Sequence, residues 1–299
     1  MQLTSLRRHH AVFVALISLL LVLGRPAFAL SPEPSQAETM REMIEVLEAR
    51  HYAKKRYDDA LSANHLQTYI DNLDPQRMFF SAADIARFQR WETTLDDLGR
   101  DGDLSPAFAI FNRYEEAMTA RLEKILDDLP ATVDGFDFTR EEYLPLADEE
   151  IPWAETETEL DDRWRKRLKS QVLSLKLADK PLDEIGETLE RRYRNRLKRI
   201  AQYNSQDVFQ VYANSLTELY DPHTSYFSPR RAENFDINMS LSFDGIGAVL
   251  QADDEFTKVV RLVPAGPAEK QGELHPSDLI VGVGQGEAGE LKDVIGWRL

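Results

Sequence analysis

Between Ser242 and Leu250 the chain reads Ser-Phe-Asp-Gly-Ile-Gly-Ala-Val-Leu, with Gly245 and Gly247 bracketing Ile246 and leading straight into an apolar run. Backbone amides flanked by glycine are not obstructed by side chains, and a few of them pointing one way can hold an anion such as a carboxylate. Three other stretches suggest chemistry and do not complete it. Asp221-Pro222-His223-Thr224 sets an acid and an imidazole two residues apart, but a site needs more ligands or a nucleophile within reach and no other histidine lies nearby in sequence, so helix termination by Asp-Pro with a hydrogen-bonded turn is the preferred reading. Gly284-Gln285-Gly286-Glu287-Ala288-Gly289 has the spacing of a dinucleotide fingerprint. A pyrophosphate there would face Glu287, and no βαβ unit or acidic residue about 20 positions on follows, so a glycine-rich hairpin is expected instead. The basic runs Arg163-Trp164-Arg165-Lys166-Arg167 and Arg191-Arg192-Tyr193-Arg194, with Arg196, Lys198 and Arg199, lie in helical stretches and are read as ion-paired or solvated faces.

Composition closes further routes. With 52 acidic against 36 basic residues the net charge is −16, which argues against a nucleic-acid partner. There is no cysteine, hence no thiol nucleophile, disulfide or cysteine-bound metal. The 6 histidines are scattered without His-Glu-x-x-His spacing, and no Gly-x-Ser-x-Gly elbow is present. Neither a metal nor a cofactor is expected, and no residue of the chain is assigned a catalytic role.

The elements that must position the glycine loop follow from periodicity. Helices are expected over 38–56, 58–73, 81–98, 105–129, 156–177, 181–201 and 205–220. The clearest apolar stripe is Phe108, Phe111, Met118, Leu122, Ile125 and Leu129, with Ser105 and Pro106 as N-cap and N1. Ser81 to Asp84 forms a capping box, and 130–153 is expected to be an irregular excursion. After residue 244, where 9 of the 14 glycines fall, the pattern changes to short apolar runs. Phe256–Val260 and Leu279–Val281 read as strands, and Gly266-Pro267 opens a short helix. The fold class expected is α+β, a mainly helical domain over 30–220, a connector over 221–236 and a β part over 237–299. At the N-terminus, Arg7-Arg8, an apolar run from Ala11 to Leu23 and Ala27-Phe28-Ala29 make a secretory signal cleaved after Ala29. Its 13 residues are fewer than the roughly 20 of a spanning helix, so no stable membrane span is expected after cleavage.

The order of strands, the Gly266-Pro267-Ala268 turn, Gly245–Gln251, Ile280-Val281-Gly282-Val283-Gly284-Gln285 and Asp293-Val294-Ile295-Gly296-Trp297-Arg298-Leu299 together resemble the tail-specific proteases, the carboxy-terminal processing peptidases of Gram-negative bacteria. Asp221–Tyr226, Ser228-Pro229-Arg230, Leu73-Asp74-Pro75 and Phe79-Phe80 extend the resemblance over most of the chain. It implies a PDZ domain, incomplete here, whose second helix and protease core would lie beyond Leu299. The implied protein is a periplasmic serine-type endopeptidase with a Ser/Lys dyad to which no residue here is matched, so that this length of chain is expected to be inactive alone. Within it, Gly245, Ile246, Gly247 and Ala248 would receive a substrate's terminal carboxylate, and Val249 and Leu250 would begin the strand to which the tail adds. Protein C-termini are the implied partners, and a helical-repeat lipoprotein the implied adaptor. The competing expectation is a stand-alone, non-catalytic PDZ-containing protein of the envelope that binds tails without cutting them. In the family a glycine usually precedes Asp278, where this chain has Ser277.

Overall fold

A computed structural model describes residues 29–145, 151–240, 245–253, 255–286 and 289–298. The expected signal over 1–29 lies outside them except for Ala29, as do residues 242–244 before the glycine loop and Glu287-Ala288. From Pro32 the chain forms one compact unit. Its helices are α1 (Pro34–Arg50), α2 (Asp59–Leu73), α3 (Ala82–Phe88), α4 (Leu95–Asp101), α5 (Ser105–Asp134), α6 (Glu157–Lys176), α7 (Leu182–Ile200), α8 (Ser205–Tyr220) and α9 (Pro229–Ser240). The β part follows as β1 (Ala248–Asp253), β2 (Phe256–Leu262), α10 (Pro267–Gln271), β3 (Leu279–Ile280), β4 (Gly282–Val283) and β5 (Lys292–Asp293). The class is α+β, as expected.

Two apolar assemblies hold the helices. In the first, α2 packs on α8, and Tyr57, Tyr69, Phe209 and Tyr212 are fully enclosed. In the second, Met118, Leu122, Leu129 and Val133 of α5 meet Trp164, Leu168 and Val172 of α6 and Ile185, Leu189 and Tyr193 of α7. Each set recurs at three or four residues, so one face of each helix is removed from water. Arg121, itself buried, crosses from α5 to the Glu157 and Asp161 carboxylates of α6.

Several helix boundaries differ from the periodic reading, each for a physical reason. The 81–98 stretch is not one helix: a 3-10 turn at Gln89–Trp91 separates α3 from α4. The amide of Leu95 is capped by Ser62 Oγ of α2 at 2.9 Å, a long-range cap that lets α4 start afresh. α5 continues through Pro130 to Asp134, because Leu129 and Val133, one turn apart, are both buried in the second core; the irregular excursion therefore begins after Gly135. The cap of α5 also lies one residue earlier, at Leu104, with Asp103 Oδ1 accepting from the Ser105 amide at 2.8 Å. α9 occupies the second half of the stretch read as connector. Ser228-Pro229 opens it, the same start signal as Ser105-Pro106, and the Ala232 amide donates to Ser228 O at 2.8 Å. The Ser81–Asp84 capping box and the Gly266-Pro267 opening of α10 stand as read.

The β part is thinly packed. Of its side chains only Val259 and Ala268 are buried apolar groups among the described residues. Its sheet runs β1-β2-β3, with β1 antiparallel to β2 and a bulge between Val249 and Leu250. Contacts with the helices tie it down: Gln202 Nε2 donates to Gly296 O at 2.7 Å, and Arg298 grips Asp207 with both nitrogens at 2.6 and 2.9 Å. Ser277 holds φ at +78°, a left-handed conformation that costs a non-glycine residue about 1 kcal/mol or more.

Candidate functional site

The glycine loop sits at the start of β1, clamped from below. Ile246 O accepts from the Ala268 amide at 2.8 Å and Gly247 O from the Val263 amide at 2.7 Å. Gly247 is buried at φ +77°, and a Cβ there would stand 3.1 Å from Gly266 Cα and 3.2 Å from Pro267 Cδ. The position therefore requires glycine for both backbone and space. With its carbonyls committed to the turn before α10, the loop keeps its amides: among the described residues nothing accepts from those of Gly245, Ile246 or Gly247. Gly245 and Ile246 are exposed, and the Ile246 side chain is 52% accessible.

Ala248, Val249 and Leu250 follow, half-buried, in β1. β1 is the outer strand of its sheet, and among the described residues its second edge is unpaired. A row of unpaired backbone groups at a sheet edge can take a further extended chain as one more strand. The structure thus brings Gly245, Ile246, Gly247, Ala248, Val249 and Leu250 into one continuous surface. Around it Val260, Val263, Leu279 and Val281 leave a third or more of their apolar surface in water.

The remaining motifs resolve into scaffolding. Asp221 ends α8, accepts from the His223 amide at 2.8 Å and receives the Tyr52 hydroxyl. The imidazole that approaches the turn is His51, 2.9 Å from Thr224 Oγ1. Its Nδ1 already accepts from the Ala53 amide, so in the neutral ring Nε2 carries the proton and cannot take one from the threonine. Gly284 and Gly286 lie between the antiparallel strands β4 and β5, and among the described residues no helix starts there to receive a phosphate. Among the described residues no three histidine, aspartate or glutamate side chains are grouped so as to hold a metal ion. Of the basic runs, Arg165, together with Lys169 one turn on, converges on Glu142 and holds its carboxyl down to about 2. Lys166 pairs with Asp162, and Arg194 with Glu190. Arg163, Arg167 and Arg196 do not follow that rule among the described residues.

One feature without a periodic signal proves central to the helical domain. The Asp74 carboxylate is 1% exposed and accepts from three successive amides, Met78, Phe79 and Phe80, at 2.8, 2.8 and 2.9 Å. Burial pushes its carboxyl up, against the three amides and the Arg196 charge that draw it down. The nest turns Phe79 towards Tyr114 and Trp164 and Phe80 towards Phe88, and Trp164 Nε1 donates to Met78 O at 2.7 Å. No helix among the described residues is long and apolar enough to cross a membrane.

Comparison with known proteins identifies the frame around this site. The family model of the tail specific protease N-terminal domain matches residues 43–230. The tail-specific protease of Haemophilus influenzae is 36% identical over 288 residues, which are 92% of this chain and 41% of that protein. The carboxy-terminal processing proteases CtpA and CtpB of Bacillus subtilis are 37% and 35% identical over 68 and 79 residues. These spans are 23% and 26% of this chain and 14% and 16% of the two proteins. The chain thus spans less than half the length of each of these relatives. Matched through its helices from 43 to 230, and along nearly its whole length by a curated relative, the chain belongs to the tail-specific protease family.

Proposed function

We propose that this chain is the substrate-selecting part of a periplasmic serine-type endopeptidase that recognises proteins by their C-terminal tails. The tail adds antiparallel to β1, its terminal carboxylate rests on the amides of Gly245, Ile246 and Gly247, and its last apolar side chain lies against the Val249 and Leu250 end of the strand. The observation that carries this reading is the conjunction of the Gly245, Ile246 and Gly247 amides, from which nothing accepts among the described residues, and an outer strand that starts at that loop. Charge-assisted hydrogen bonds from backbone amides supply the preference for a chain end over an internal segment. The PDZ-like part so defined presents the tail, and hydrolysis belongs to a Ser/Lys pair to which no residue here is assigned, so the chain binds without cleaving. The N-terminal segment with Arg7-Arg8 and Ala27-Phe28-Ala29 supports export. The helical domain is the docking face for a helical-repeat lipoprotein adaptor.

Replacing Gly247 with valine tests the loop. The side chain meets Gly266 and Pro267 and disfavours φ +77°, so affinity for an N-acetylated peptide ending in free apolar residues is expected to fall roughly tenfold or more in calorimetric titration. Melting of the helical domain should be unchanged, because neither core includes residue 247. Equal binding by the variant would remove the loop from the proposal.

The alternative of a stand-alone envelope protein that binds tails uses the same site. It is separated by activity: assembled with the remainder of the family's length, the chain is expected to degrade apolar-tailed proteins.

A further inference from the structure

The arginines divide into two classes. Among buried or half-buried ones, Arg100, Arg113, Arg121 and Arg165 each meet a carboxylate. The other four, Arg77, Arg163, Arg167 and Arg196, have no carboxylate within ion-pair distance among the described residues, in a chain where acids exceed bases by 52 to 36. These four cluster. Arg77 donates to Ile151 O and lies over the Trp153 ring, while Arg163 donates to Arg77 O and Pro152 O at 3.1 and 2.9 Å. Arg167 and Arg196 line a cleft of about 460 Å³ between the Asp74–Phe79 loop and helices α5, α6 and α7. A smaller cavity of about 60 Å³ adjoins it, sharing Gln76, Met78 and Arg167 and adding Arg163.

The cleft is rich in donors and has an apolar wall. Gln171 spends its carbonyl on the Tyr193 hydroxyl at 2.6 Å, which leaves its amide nitrogen as a donor. Met78, Phe79 and Trp164 supply the apolar side, and Arg196 lies 5.1 Å over the Phe79 ring. Asp74 also borders the cleft, but its oxygens are taken by three amides and Arg196 answers its charge. Among the described residues Arg167 is then the guanidinium left without an anion. A half-buried guanidinium lacking a counter-charge is poorly placed unless something supplies one.

We infer that this cleft binds an acidic side chain of a polypeptide, a glutamate or aspartate beside an apolar residue, with Arg167 and Gln171 holding the carboxylate and the Phe79–Trp164 wall taking the neighbour. A planar guanidinium next to an aromatic wall suits a carboxylate carried on an apolar body better than a bare inorganic anion, which would leave the wall empty. The site lies on the helical domain and does not depend on the β1 loop. It would give the protein a hold on a partner or substrate at a point inside its chain as well as at its end.

The test uses probes with no free terminus, so that a chain-end site does not contribute. Acetyl-Glu-Phe-amide, acetyl-Gln-Phe-amide and inorganic phosphate are titrated calorimetrically into the full chain and into Arg167→Gln. The acidic peptide is expected to bind at least about tenfold tighter than its glutamine analogue or phosphate, and R167Q is expected to abolish that difference. The comparison of acidic with neutral peptide on the unmutated chain stands even if the variant folds poorly. Equal binding of the two peptides, binding of phosphate as tight as the acidic peptide, no binding of either peptide, or a folded R167Q that keeps the preference would each overturn the inference.

Discussion

Replacing Asp74 with alanine is expected to lower the stability of the helical domain by about 4 kcal/mol at neutral pH, read as a shift of the urea midpoint. Removing a buried charge can be harmless when its partners leave with it. Here they cannot, because the partners are the amides of Met78, Phe79 and Phe80. Alanine strands the three amide donors of buried Met78, Phe79 and Phe80, and each unsatisfied buried donor costs about 1–3 kcal/mol. Asp74→Asn keeps one acceptor oxygen and should lose roughly half as much. The ordering alanine below asparagine below aspartate is the signature of an amide nest; equal loss in both variants would mean that the charge matters through Arg196 instead. Because Phe79 also walls the arginine cleft, Asp74→Ala should disturb that cleft as well.

Acid should destabilise the first core through His65. The ring is fully enclosed, its Nε2 donates to Tyr212 O at 2.9 Å, and its Nδ1 therefore accepts from the Tyr57 hydroxyl at 2.6 Å. Burial lowers its pKa from 6.5 to about 4, with the Tyr212 carbonyl opposing weakly. Between those values the unfolded chain binds a proton that the folded chain refuses, so stability falls as pH drops from 6.5 towards 4. At about 1.4 kcal/mol per pH unit the loss reaches roughly 3 kcal/mol. His65→Gln can donate to Tyr212 O and accept from Tyr57 without titrating. The difference between the two proteins' urea stabilities should therefore shrink steadily in favour of the variant over this range. Parallel curves would show that His65 does not set the acid sensitivity.

What could be read from the chain alone follows where the physical signal is local. α2, α6, α7 and α8 lie within a residue of the periodic reading, because each has an apolar face, and α2, α6 and α8 also carry a side-chain cap at Asp58, Thr156 and Asn204. The break between α3 and α4 was not legible, since it depends on Ser62 reaching Leu95 from 33 residues away. α9 has a local signal, since Ser228-Pro229 repeats the Ser105-Pro106 start, but it lies in a stretch whose neighbours read as connector. The continuation of α5 through Pro130 runs against local preference and is explained by Val133 in the core. At the glycine loop, sequence pointed to unobstructed amides, but not to the clamp by Val263 and Ala268 that makes Gly247 sterically necessary. The arginine cleft had no sequence signal beyond basic runs, because which guanidiniums lack partners is decided by tertiary packing.

Amide proton shifts of Gly245, Ile246 and Gly247, followed by nuclear magnetic resonance as an apolar-ended peptide is added, test the central claim most directly. The free-acid peptide is expected to move all three downfield as they bond the terminal carboxylate, while the same peptide amidated at its end leaves them in place. Three unmoved amides under saturating free-acid peptide, or identical responses to acid and amide, would contradict recognition of chain ends by this loop.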